Sequence, residues 1–175
     1  MSQVDTTWNK VVLLDENCSV SDFDCGEPAR NAWLRTRALQ NQRSGDTRTY
    51  VALRGDEVVG FHALTVGSIV RGVLPGPSRR NAVDPVSCVL LAQLAVALHA
   101  QREGVGRELV LHAMEQAARI AEIAGCRLFA VHPARPDLVG YYERFELVSV
   151  ATIPALMAMP LQKVRHILSA VASAG

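Results

Sequence analysis

The spacing of apolar residues changes several times along this chain, and each change marks an element. "KVVLLD" (10–15) is a short aliphatic run that reads as a strand. From 28 to 43 the pattern becomes helical: Pro28 suits a first helical position, and Trp33, Leu34, Ala38 and Leu39 are its apolar positions. "SGD" (44–46) stops that helix, "TRTYVALR" (47–54) is rich in β-branched and aromatic residues, and "RGDE" (54–57) turns the chain into a second strand, "VVGFHALTVGSIV" (58–70). Residues 72–85, "GVLPGPSRRNAVDP", hold prolines 75, 77 and 85 and glycines 72 and 76, which predicts a long irregular loop. "VSCVLLAQLAVAL" (86–98) is nearly all apolar, as a central strand buried on both faces requires.

A second helical pattern runs from Gly104 to Gly125. Val105, Leu109, Ala113, Ala117, Ile120, Ala121 and Ala124 form its apolar face, and Gly125 is suited to cap its end. "CRLFAVH" (126–132) reads as a strand, a short helix spans about Pro136 to Arg144, and strands follow around 147–151 and 155–161. Apolar residues at 164, 167, 168 and 171 predict a closing amphipathic helix over about 163–173. The order β, α, β, β, β, α, β, α, β, β, α is that of a layered, mixed α/β fold built around one strand–loop–helix unit.

Composition fits that picture. With 175 residues, 49% hydrophobic and 20% charged, the chain is expected to form a single domain over 1–175 with a full core. No apolar run approaches the roughly 20 residues that a membrane helix needs. "MSQVDTTWNK" lacks the basic and apolar regions of a secretory signal, so a cytoplasmic location is expected. Cysteines 18, 25, 88 and 126 form no CxxC pair and the histidines do not cluster with them. They are expected to be reduced, small apolar residues, with no metal site.

Charge is unevenly distributed although the net is only +1. Asp5, Asp15, Glu16, Asp22, Asp24 and Glu27 stand against Lys10 alone, whereas Arg30, Arg35, Arg37, Arg43 and Arg48 stand against Asp46 alone. Arg71, Arg79 and Arg80 follow without an acid between them. Such clusters either hold phosphates or form a solvated face.

The loop "HAQREGVGREL" (99–109) opens the long helix with Gly104 and Gly106. It lacks the Gly-Lys-Ser/Thr of a nucleotide loop and the third glycine of a dinucleotide fingerprint. A helix N-terminus still offers unpaired N–H donors and positive dipole, and glycines let an anion approach the backbone. Either a flexible helix entry or an anion site satisfies this stretch read alone.

The Gln-x-x-Gly-x-Gly spacing after a buried strand resembles the acyl-CoA loop of the GNAT family of N-acetyltransferases, whose element order is also similar. That resemblance implies a GNAT fold: a mixed, mostly antiparallel sheet whose fourth and fifth strands splay, flanked by helices. It implies acetyl-CoA as cofactor, its pyrophosphate held by Gln101, Arg102, Glu103, Gly104, Val105, Gly106 and Arg107. It also implies that the backbone of Leu94, Ala95 and Val96 bonds the pantetheine and acetyl carbonyl. "FDCGEPARNAWLRTRALQNQRSGDTRTYV" (23–51), "RRNAVDPV" (79–86), "QLAV" (93–96) and "YYERF" (141–145) are similar, in order and spacing, to the toxin branch of toxin–antitoxin modules, the TacT-like group. The similarity covers about residues 10–162. It implies acetylation of the α-amine of aminoacyl-tRNA, which blocks translation, a ribbon-helix-helix antitoxin, and a homodimer.

By the same resemblance Tyr142 is the acid that protonates the leaving sulfur, whereas periodicity alone favours a half-buried helix aromatic. A tyrosine's ordinary pKa of about 10 lies above a thiol's of about 8.5, so the group starts protonated. No general base is evident, and an α-amine needs little help: with a pKa near 8 about a tenth is neutral at pH 7, against fewer than one in a thousand for lysine. His132, at a strand end, reads more readily as a hydrogen-bonding residue than as a base, and Glu143 as solvent-facing. Arg30, Arg35, Arg37, Arg43, Arg79 and Arg80 are the candidates for tRNA phosphates. Glu146 stands where that branch usually has glycine, which removes an easy φ > 0 position after the tyrosine helix. Ala97 and Gln93 also depart from the branch pattern. Two other readings stand beside the toxin: a GNAT acting on a small amine or a protein N-terminus, and a catalytically silent antitoxin-binding homologue.

Overall fold

The structure, a computed structural model, describes residues 10–152 and 155–175; the residues before Lys10, on which the signal-peptide expectation rests, lie outside them. Strands β1 (Lys10–Leu13), β2 (Arg48–Arg54), β3 (Glu57–Ile69), β4 (Val86–Val96), β5 (Leu128–Val131), β6 (Val148–Thr152) and β7 (Ala155–Pro160) hydrogen-bond in the order β1-β2-β3-β4-β5-β7-β6. The helices are α1 (Pro28–Thr36), α2 (Ala38–Ser44), α3 (Gly76–Arg79), α4 (Val105–Ala124), α5 (Val139–Glu143) and α6 (Leu161–Ser173). Contacts gather into two units: residues up to Leu64 with Gln93–Ala113, and Thr65–Ala92 with Met114–Gly175. β3, β4 and α4 each run through both.

In the first unit β1, β2 and β3 form an antiparallel meander, with Val51 opposite Phe61 and Tyr50 opposite His62. Alternation along β3 separates two layers. Phe61 stacks on Trp33 of α1 at 5.9 Å and meets Phe23 edge-on at 5.4 Å. Gly60 and His62 face α4 instead. A Cβ on Gly60 would sit 2.9 Å from Leu109 Cδ1 and 3.1 Å from the Ala95 carbonyl, so glycine is what lets helix and strand approach.

The continuous helix expected over 28–43 is two helices. Arg37, at φ −116, separates them, and Leu34 and Ala38 on either side of it are both buried. Gly45 ends α2 at φ 87, as "SGD" predicts. Gln42 then ties β1 to β2, donating to the Leu14 carbonyl (2.7 Å) and accepting from the Thr49 N–H (3.0 Å).

In the second unit β4 runs parallel to β5, from Cys88 beside Leu128 to Leu91 beside Val131, and β5 continues antiparallel to β7 and β7 to β6. Ile69, Leu74, Val86, Cys88, Leu128, Ala130 and Ala158 share one core cluster. The 72–85 segment is more ordered than its prolines suggest: it begins within a single 3-10 turn, Arg71–Val73, and contains α3. Arg71 is anchored to the Asp84 carboxylate through its N–H (2.9 Å) and to the Ala82 carbonyl through its guanidinium (3.0 Å). β4 is not buried on both faces throughout, since Ser87 and Ala92 are exposed. On α4 the expected Val105, Leu109, Ala113 and Ala117 are buried and are joined by Val110, Met114 and Ala118, whereas Ala124 is exposed. All four cysteines are free thiols, and burial pushes the Cys88 thiol up to about 11, which makes it inert.

His62 is fully buried, its Nε2 lies 2.8 Å from His112 Nδ1, and its ring stacks on Tyr50 at 5.1 Å. Burial first, and the neighbouring His112 second, lower its pKa from 6.5 to about 3. The unfolded chain therefore takes up a proton below pH 6.5 that the folded chain refuses until about pH 3. The stability this group contributes is present above pH 6.5 and is lost as pH falls across that window. Urea titrations between pH 7.5 and 4.5 are expected to show a His62 contribution of about 1.4 kcal/mol per pH unit below 6.5. A His62→Phe variant should lose that part of the slope.

Candidate active site

The residues around the glycine loop are held by a clasp from the segment ahead of α1. Asp24 accepts hydrogen bonds at one carboxylate oxygen from the Gly26 N–H and the Asn31 amide, both 2.8 Å, which hold its carboxyl below the usual carboxylate range. Asn31 in turn accepts from the Cys25 N–H at 2.9 Å. Gly26 takes φ 85, and a side chain there would press on Leu98 at 3.1 Å. The Cys-Gly-x-Pro motif is thus a turn that only glycine can make, leading into Pro28 at the start of α1.

That turn grips the chain leaving β4. The Leu98 N–H donates to the Asp24 carbonyl at 2.9 Å, and the Gln101 amide reaches the Cys25 carbonyl at 3.4 Å. Gln101 also donates to the Val96 carbonyl at 3.1 Å. Beyond Gln101 the backbone alternates: Arg102 has φ 64 and Gly104 φ 88. An arginine in the left-handed region carries strain of about 1–2 kcal/mol, the kind of outlier that collects where a backbone must present its N–H groups. The space beside Gly104 is open for at least 4 Å. Glu103 is fixed by an ion pair with Arg54, and Gly106 lies inside the first turn of α4. A helix N-terminus preceded by an open, glycine-containing loop fits a pyrophosphate in charge and in access.

The residues Gln101–Arg107 and the strand residues Leu94–Val96 both belong to the first unit. Tyr142 belongs to the second unit, on α5, buried to 5% exposure. Tyr141 lies edge-on to it at 5.2 Å and to Phe145 at 5.5 Å, and Arg144 covers the Tyr141 ring. His132 is exposed, and its Nδ1 donates to the Ala155 carbonyl at 2.9 Å, which makes it a tether for β7.

The six candidate phosphate arginines divide. Arg30 is turned inward onto the Leu94 carbonyl and Glu27. Arg35 donates to the Phe23 carbonyl at 3.0 Å, and Arg43 pairs with Glu16. Arg37, Arg79 and Arg80 are exposed and pair with no acid among the described residues. Arg127, which charge patterning alone does not single out, donates to the Arg80 carbonyl at 2.6 Å and sets the end of α3.

Comparison with known proteins then places this geometry. The model of the acetyltransferase (GNAT) family matches residues 13–146. A tRNA-acetylating toxin of Mycobacterium tuberculosis (strain ATCC 25618 / H37Rv) is 34% identical over 149 residues, 85% of this chain and 90% of that protein. Among solved structures, AtaT complexed with acetyl-methionyl-tRNAfMet superposes with a TM-score of 0.83 at 23% identity, covering 90% of this chain and 98% of that one. AtaTR bound with acetyl-CoA gives 0.78 at 23% identity, over 90% and 96%.

Glu146 sits at φ 66, so the position after the tyrosine helix is left-handed although it lacks glycine. Its carboxylate lies 3.5 Å from Lys163, a half-exposed pair that offsets little of the strain. Glu146→Gly is expected to stabilise the protein by about 1 kcal/mol, raising the thermal midpoint by roughly 2–4 °C. A lower midpoint would show that the Lys163 pair outweighs the backbone strain.

Proposed function

The chain belongs to the acetyltransferase (GNAT) family, and from that premise we propose that it is a toxin that acetylates the α-amine of aminoacyl-tRNA and so blocks translation. What carries the choice of acceptor is the relation to the mycobacterial tRNA-acetylating toxin, which extends over 149 residues. The exposed Arg37, Arg79 and Arg80 support it, because a small amine has no use for unpaired surface cations. The family model extends across both units, and β3, β4 and α4 pass through both, which supports reading residues 1–175 as one catalytic domain. The family resemblance supports a cytoplasmic homodimer held in check by a ribbon-helix-helix antitoxin; among the described residues no helix is long and apolar enough to cross a membrane.

The open loop at Gly104, the left-handed Arg102 and the N-terminus of α4 fit acetyl-CoA, with Gln101–Arg107 on the pyrophosphate side and Leu94–Val96 along the pantetheine. When bound, acetyl-CoA supplies an acyl group activated as a thioester. The strand N–H groups offer hydrogen bonds to the acyl carbonyl oxygen as charge gathers on it; one such donor is worth about 3–4 kcal/mol in other enzymes. The acceptor amine forms the new N–C bond as the C–S bond breaks; the amine gives up one proton, and the Tyr142 hydroxyl delivers one to the departing sulfur. No strong base is required, since an α-amine of pKa near 8 is substantially neutral near pH 7.

Incubation with labelled acetyl-CoA and a charged tRNA pool is expected to label aminoacyl-tRNA, faster as pH rises toward 8. Tyr142→Phe should lower kcat by about 10²–10⁴-fold with CoA still bound. Label on free amines alone would overturn the substrate assignment. A protein that binds CoA and labels nothing would instead be a silent antitoxin-binding homologue.

Arg79→Ala and Arg80→Ala should each weaken tRNA binding similarly across tRNA sequences and reduce the salt slope of log K by about 1. Affinity measured across a salt series checks this. Unchanged slopes would remove α3 from the tRNA surface.

A further inference from the structure

The direction of each peptide group at the end of β4 can be read from its partners. The Ala97 N–H donates to the Val59 carbonyl at 2.9 Å, and the Ala95 carbonyl faces Gly60, so Ala95 and Ala97 address β3. Backbone polar groups alternate along a strand, so Leu94 and Val96 present theirs on the opposite edge. On that edge both carbonyls are already held by side chains: Leu94 by Arg30 Nη1 at 3.1 Å, and Val96 by Gln101 at 3.1 Å. Arg30 is only 19% exposed and is braced by both oxygens of Glu27 at 3.4 Å. The edge therefore has its acceptors covered, and its N–H groups are what it can offer to an incoming carbonyl.

We propose that Arg30 is a positioning residue for the acyl donor, not a tRNA contact: it fixes the Leu94 peptide, reserves this edge for the thioester carbonyl, and places a cation beside it. The inference rests on the acetyl-CoA reading above. A guanidinium holds a peptide oxygen in a defined plane and keeps its charge at all working pH values, which a lysine ammonium does with less geometric control. A carbonyl docked at the Leu94 N–H shares an edge with that cation, so negative charge developing on its oxygen is favoured there. Free CoA, whose pantetheine meets the same strand, lacks the thioester carbonyl and gains far less from Arg30.

The test compares acetyl-CoA with CoA in calorimetric binding to wild type, Arg30→Lys and Arg30→Met, with steady-state acetylation and tRNA affinity across a salt series. Acetyl-CoA affinity is expected to fall about 5–10-fold in Arg30→Met, with CoA affinity within twofold of wild type. Turnover should fall about 10–50-fold, Arg30→Lys should be intermediate, and the tRNA salt slope should not move. Should Arg30→Met fail to fold, Arg30→Lys decides: it preserves a phosphate contact, so a severalfold loss of turnover supports positioning and unchanged turnover overturns it. An equal loss for CoA and acetyl-CoA, or a reduced salt slope with turnover intact, also overturns it. Wild type that binds acetyl-CoA yet acetylates no aminoacyl-tRNA overturns the substrate reading alone, and the acetyl-CoA to CoA ratio still judges Arg30. Wild type that does not bind acetyl-CoA overturns both.

Discussion

The constraint on which the candidate site depends is the hydrogen-bond demand of one strand end. The last residues of β4 pair with β3 along one side, where Ala97 bonds Val59. Along the other side the carbonyls of Leu94 and Val96 still require donors, because a half-buried carbonyl without one costs free energy comparable to a lost hydrogen bond. The fold supplies them from side chains, Arg30 and Gln101, and not from another strand. A strand finished in that way keeps its own geometry without using its N–H groups, and that leaves an edge suited to bonding a ligand carbonyl.

The first-half motif follows from the same demand. Asp24, Cys25, Gly26 and Asn31 form a closed set of short hydrogen bonds whose outward groups, the Asp24 and Cys25 carbonyls, receive Leu98 and Gln101. Pro28 then starts α1 at once, which brings Arg30, two residues on, to the Leu94 carbonyl. A stretch that looks like a helix start is therefore also the support for a loop some 75 residues downstream. The loop is stiffened on its other flank by the Arg54–Glu103 pair. Rigid support of this kind matters for anion binding, since N–H groups stabilise charge only when they need not reorganise to meet it.

Strain and unfavourable burial occur at a few positions in each unit. Arg102 and Glu146 occupy left-handed backbone without being glycine, and His62 is buried with a ring nitrogen that has no hydrogen-bond partner. Arg102 lies in the loop proposed to hold the pyrophosphate, and Glu146 follows the helix that carries Tyr142. Strained backbone persists where surrounding structure over-determines it: Arg102 lies just ahead of α4, and Glu146 joins α5 to β6. His62 belongs to the layer between β3 and α4, where Gly60 lets the helix come close and His112 and Tyr50 enclose the ring.

Most of the element order was legible in the sequence because period-2 and period-3.6 patterns depend only on which face is buried. Gly45 and Gly125 marked the helix ends they do mark, since only a left-handed residue closes those turns cheaply. The loop ahead of α4 was legible too, from two glycines placed between an apolar strand and an amphipathic helix. What the sequence could not decide was where long polar side chains go. Arg30, Arg35 and Arg37 look alike on a charge map, yet one bonds a strand carbonyl, one bonds the Phe23 carbonyl and one is exposed. The break at Arg37 and the helix within 72–85 were equally hidden; the second is held by side chains that reach its carbonyls from outside it, Arg71 to Ala82 and Arg127 to Arg80. The sequence by itself determined the elements and the glycine loop that opens α4, because local periodicity and backbone conformational preference act over a few residues. Only the tertiary structure decided which arginines face solvent, because a guanidinium goes to whichever acceptor the fold brings within its reach.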